Sequence, residues 1–267
     1  MERPASRRSR VTAVVVALAV LIIVFAILVP PLSVLGKADL VGYAICHQIP
    51  ERSFVLAGRQ LPLCARCTGT FLGAVLGLTA MLLLRRYHAS RLPPVPVLVV
   101  LVFFVAFWGF DGVNSYMTLF PGAPHLYEPR NWLRLTTGLL NGLALVLFVY
   151  PIFNFTLWQE PSKERVIRNL WELLAFLPLV ALLVLVTQAE IDVLLYPLAM
   201  LSSLGVVMML TLIHGMVAVV VMGREGTART WRDAVTPLTV GLASAILEIL
   251  VMVLIRNYLT ARFGLPF

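Results

Sequence analysis

Charge is scarce in this chain. Only 13% of its 267 residues are Asp, Glu, Lys or Arg, roughly half the share carried by soluble domains. Such a chain cannot clothe a water-exposed surface, because 60% of its residues are hydrophobic and the mean hydropathy is +0.93. Cysteine is also rare. Three residues, an odd count, exclude a dense disulfide scaffold. No phosphate-binding P-loop, glycine-rich dinucleotide turn, HExxH pair or nucleophile elbow occurs, which removes the usual sequence marks of nucleotide, metalloprotease and α/β-hydrolase chemistry. The short alternating segments of a membrane β-barrel are missing as well.

What is present is a series of long apolar runs, each roughly 18–30 residues. Lipid offers no water to backbone N–H and C=O groups, so uninterrupted runs of this length must satisfy those groups within a helix. The expected fold is therefore all-α: a polytopic transmembrane helical bundle of about seven spans. The runs cover residues 11–29, 67–84, 95–120, 132–153, 170–187, 193–222 and 234–255. The first follows Arg3, Arg7, Arg8 and Arg10. It is too long for a signal-peptide core and lacks a small-residue cleavage site, so it reads as an uncleaved anchor.

The net charge of +8 and the pI near 9.9 do not point to nucleic acid. Basic residues fall in short clusters between apolar runs, the pattern that sets membrane topology, and form no basic face. The expected partner is the lipid bilayer. With the N-terminus inside, each inner segment holds at least three basic residues: the N-terminal arginines, then Arg85, Arg86 and Arg91, then Lys163, Arg165 and Arg168, then Arg224, Arg229 and Arg232. The outer segment 188–192 holds none. The orientation is N-inside and C-outside. The outer loop from residue 30 to 66 is the longest polar segment, and its aromatic and apolar content argues for structure.

All three cysteines fall in or beside that loop, in AICHQIPERSFVLAGRQLPLCARCTGTFLG. The segments CHQIPERSF and LPLCARCTG, followed by Asp111 and RNWLRLTTGLLNG, resemble the signature of a family of uncharacterised prokaryotic multipass membrane proteins, over roughly residues 40–150. The resemblance implies a module and a prokaryotic cytoplasmic membrane, but no activity. It divides the chain into an anchor helix (1–38), a Cys/His module with three spans (39–153) and an additional three-span bundle (154–267).

Three chemistries fit Cys46, His47, Cys64 and Cys67. The pair Cys64-x-x-Cys67 with an upstream Cys and His suits a tetrahedral soft divalent ion such as zinc. His125, in the other long outer loop, is a substitute fourth ligand. Alternatively, Cys64 and Cys67 at a helix N-terminus, with Arg66 between them, suit a membrane thiol–disulfide oxidoreductase. The third possibility is a structural disulfide with one thiol left over. Covalent haem is disfavoured because residue 68 is Thr.

Gly69, Gly73 and Gly77 form a flat stripe on the second span, and Gly138 and Gly142 form a shorter one on the fourth. Close pairing of these spans brings Arg66, Asp111, Asn114, Asn131 and Arg134 to the outer surface beside the cysteines, with an Asp111–Arg134 ion pair expected. His214 and Glu248 lie well inside apolar runs, where ionisable residues are costly and mark ion or proton sites. A small-solute or ion transporter using Asp111, Arg134, His214 and Glu248 is a further alternative.

Overall fold

The computed structural model describes residues 5–120 and 122–264, with side chains from residue 12 onward. Arg3 lies outside the described residues, and the side chains of Arg7, Arg8 and Arg10 lie outside them too. The chain is an all-α bundle. Six segments are long and apolar enough to cross a membrane: α3 (Ala65–Leu83), α4 (Val95–Met117), α5 (Asn131–Leu157), the pair α6 (Leu170–Leu174) and α7 (Leu177–Gln188), α8 (Leu195–Val221) with the turn before it, and α9 (Trp231–Phe263). The anchor run corresponds to α1 (Ala5–Leu28), which holds a shorter apolar stretch, Thr12–Leu28.

The fifth run is not one continuous helix. Pro178 sits in the first turn of α7, a position that tolerates its missing N–H, whereas a longer helix through it would lose a bond at residue 174.

α3 and α5 form the centre, and their glycine stripes meet as expected. A Cβ added to Gly142 would lie 1.7 Å from the Thr70 carbonyl oxygen, and one on Gly73 would lie 2.1 Å from that of Leu139. Gly69 and Gly138 face the Leu135 and Arg66 carbonyls equally closely. The two backbones touch, which only glycine permits.

The connection between α1 and α3 is ordered throughout. α2 (Val34–Ile45) starts at Ser33, whose hydroxyl accepts from the Gly36 amide at 3.1 Å. A 3-10 turn (Pro50–Arg52) leads into the hairpin β1 (Val55–Leu56) and β2 (Arg59–Gln60). Its two loop residues, Ala57 and Gly58, both have positive φ (50° and 67°), as a hairpin twisted by a primed turn requires. At the opposite end, β3 (Ala89–Arg91) pairs in parallel with β4 (Ser162–Arg165), a contact the apolar pattern does not announce. Arg86 there is nearly sealed and donates to both carboxylate oxygens of Glu172 at 2.8 Å.

Candidate metal centre

Three chain segments converge to make the cysteine cluster. Cys46 ends α2, Cys64 caps the start of α3, and Cys67 lies in the first turn of α3. Their approach depends on Gly42, whose added Cβ would lie 2.0 Å from the Pro62 carbonyl oxygen. With no side chain there, the end of α2 presses on the segment leading into Cys64. Gln48, with φ of 51°, turns the chain back, and its side-chain amide donates to the Pro62 carbonyl at 2.8 Å.

The Cys64 amide donates to the Cys46 sulfur at 3.2 Å. The ligand atoms of Cys46, His47 and Cys64 all lie within 4.8 Å of one another. The Cys67 thiol, in the first turn of α3, interacts with Cys46 and Cys64 but lies outside that three-residue group. All three cysteines are free thiols, and Leu63 and Val206 close the pocket around them. Hydrogen bonds from Cys64 and then Cys67 hold the Cys46 thiol far below its ordinary pKa. The same sharing with Cys46, together with burial, pushes Cys64 up to about 11. Within the cluster, Cys46 is therefore the thiol most readily deprotonated.

His47 is exposed, and its Nδ1 accepts from the Ile49 amide at 3.1 Å. Partial burial of the ring, with the guanidinium groups of Arg52, Arg66 and Arg134, keeps its pKa below the ordinary value. The neutral ring suits a ligand. Coordination through Nδ1 would release the Ile49 amide; coordination through Nε2 would move the ring proton to Nδ1. His125 is not part of the cluster: its Nε2 lies 2.9 Å from Glu128.

A polar network stands beside the thiols at the same end. Asp111 has a fully buried side chain and is bound by Arg66 through Nη2 at 2.5 Å and Nε at 3.2 Å. Tyr127 donates its hydroxyl to the other carboxylate oxygen at 2.7 Å, which, with burial, raises the phenol pKa. The expected Asp111–Arg134 pair is replaced by Asp111–Arg66. The antiparallel register explains it: Asp111 of α4 is level with Thr137 of α5, whereas Arg134, a turn further out, meets Ser115 at 2.9 and 3.1 Å. Arg134 also donates to Asn131 at 2.7 Å, and Asn114 holds the loop through the Tyr127 carbonyl and the Leu126 amide.

Four participants were not singled out by the sequence. Arg52 donates to the Ser115 carbonyl at 2.8 Å, and Ser115 and Tyr127 complete the network. Arg256, from α9, donates to the Cys46 carbonyl at 2.7 Å and to that of Tyr43, and its guanidinium lies 4.2 Å over the Tyr43 ring. The inclusion of Arg52 in CHQIPERSF was the available signal for that residue; Arg256 ends a lipid-like run and looked like a topology charge.

The family described as "Predicted membrane protein (DUF2085)" matches residues 46–148, from the first cysteine through most of α5. An uncharacterized protein of Methanothermobacter thermautotrophicus is 36% identical over 104 residues, covering 39% of this chain and 82% of the relative. An uncharacterized protein of Methanocaldococcus jannaschii is 28% identical over 116 residues, covering 43% of this chain and 68% of the relative. No solved structure matches. By these matches, the chain belongs to the DUF2085 family of predicted membrane proteins.

Proposed function

We propose that this chain resides in a prokaryotic cytoplasmic membrane and binds one soft divalent metal ion of the zinc class at its extracytoplasmic end. Cys46, Cys64 and Cys67 supply three thiolates and His47 the fourth ligand. The observation that carries this reading is the grouping of Cys46, His47 and Cys64 within 4.8 Å of one another, with Cys67 in the adjoining first turn of α3. A sulfur-rich, four-membered donor set favours tetrahedral zinc or a similarly soft ion.

Electrostatics supports the same reading. Three thiolates and an imidazole around a divalent ion leave one net negative charge. Arg52, Arg66 and Arg134 stand around the cluster with Asp111 as their buried carboxylate, so the protein side carries an excess of positive charge. Buried charge of this kind is tolerated where it is paired. In this reading residues 39–153 form the site module, residues 1–38 anchor it, and residues 154–267 buttress it.

The neighbouring thiols of Cys46, Cys64 and Cys67, with Cys46 held toward the thiolate, also suit thiol–disulfide exchange through Cys64 and Cys67. Elemental analysis combined with thiol counting separates the two. The metal reading expects close to one metal per purified chain, lost in a Cys64→Ser, Cys67→Ser variant. Metal-free protein with a reducible Cys64–Cys67 bond would establish the exchange reading instead.

A further inference from the structure

The last two helices bring two ionisable side chains together within their apolar runs. Nε2 of His214, on α8, lies 3.3 Å from Oε2 of Glu248, on α9. The other ring nitrogen, Nδ1, lies 3.0 Å from the Leu210 carbonyl oxygen. A carbonyl oxygen only accepts, so Nδ1 must carry a proton and donate it. In a neutral ring Nε2 is then a bare lone pair, and it faces a carboxylate oxygen, a second acceptor. Oε2 of Glu248 is itself shielded from the surface and has no aligned hydrogen-bond donor. Two facing acceptors in a low-dielectric span repel, and an unpartnered buried carboxylate oxygen is costly.

One proton between the two atoms removes both penalties. On the carboxyl group it donates to Nε2; on the ring it makes an imidazolium–carboxylate pair. We propose that His214 and Glu248 form a membrane-embedded proton-binding site, which holds one proton between Nε2 and Oε2 and releases it as H⁺ to leave a neutral imidazole and a carboxylate.

A metal ion fits poorly here, since two donor atoms fall short of the three or four protein ligands that zinc takes and of the oxygen cage of a hard cation. Among the described residues, the other titratable groups on the packed elements lie toward the helix ends or have partners of their own. On α8 and α9 themselves, the remaining titratable residues are Tyr196, Arg232, Asp233, Arg256, Tyr258 and Arg262, all toward the helix ends. α1 carries none between Thr12 and Leu28. On α2, Lys37 bonds the Ala26 and Val29 carbonyls, Asp39 pairs with Arg59, and Tyr43 lies under Arg256. α3 offers Arg66 and Cys67 and α5 offers Arg134, all at the outer end; Tyr150 of α5 bonds the Tyr87 carbonyl at the inner end. The His214 and Glu248 side chains keep 27% and 42% of their surface free of other protein atoms.

The test uses the full-length protein in proteoliposomes. Nitrogen-15 NMR reports the protonation of His214, and a pH titration followed by infrared difference spectroscopy reports the carboxyl group. Glu248→Gln identifies the band, and its amide can still donate to Nε2. The expected result is a protonated carboxyl or an imidazolium signal that disappears on alkalinisation with release of one proton per chain, and that Glu248→Gln removes. An ionised Glu248 beside a neutral His214 at every pH would overturn the proposal. So would a proton that never leaves, since the pair would then be a fixed hydrogen bond. Neither readout depends on the metal content of the cysteine cluster.

Discussion

Arg256 of α9 grips the residue that opens the cysteine cluster: its guanidinium donates to the Cys46 carbonyl at 2.7 Å while lying 4.2 Å over the ring of Tyr43. A helix outside the matched family segment thereby fixes the backbone of a proposed ligand inside it. Arg256→Ala is expected to weaken metal affinity by about 10- to 100-fold, the usual effect of losing a supporting contact behind a ligand. Arg256→Lys restores part of it. Competition with a chromogenic chelator measures both; unchanged affinity in Arg256→Ala would show that α9 does not hold the site.

Asp111 and Arg66 form a buried pair in which neither side chain is more than 16% exposed. Asp111→Leu leaves the Arg66 guanidinium without its carboxylate and is expected to cost about 3–5 kcal/mol of stability. Adding Arg66→Leu to it should recover much of that loss. Unfolding in detergent or bicelles checks the order of the two variants.

The α3–α5 contact makes a sharper contrast. Gly142→Ala drives a methyl group into the Thr70 carbonyl and is expected to destabilise by about 1–3 kcal/mol or more. Gly109→Ala, where an added Cβ meets nothing within 4 Å, should be tolerated. Thermal stability of the two purified variants decides it.

Metal binding should strengthen as pH rises. Cys64 keeps its proton up to about 11 in the metal-free cluster, so the metal must displace it. Each proton released makes the apparent affinity climb about tenfold per pH unit below that value, and acidification reverses it. Calorimetry in buffers of different ionisation heat counts the protons released. Binding without proton release would mean that Cys64 is not a ligand.

The spans were legible because lipid demands long apolar helices, and the α3–α5 pairing was legible because glycines repeat along one face. The convergence of Arg66, Asp111 and Arg134 followed from alternating topology. Which arginine meets Asp111 did not, since that depends on relative helix height, and Ser115 proved to be the residue level with Arg134. α2 and the hairpin were hidden in a loop too mixed in composition to show a period. The break before α7 was signalled by Pro178 alone, and the β3–β4 contact joins segments too short to carry a pattern.

The bare crossing of α3 and α5 has a mechanical consequence. At Gly69, Gly73, Gly138 and Gly142 the joint is built from carbonyl oxygens and glycine Cα atoms with no rotamers between them, and a slip of one residue would push a side chain into backbone. The two helices must therefore swing as a single strut, carrying Cys64, Cys67 and Arg134 with it. Any working motion of this protein has to be sought in how α4, α8 and α9 slide around that strut, and not in its length or twist.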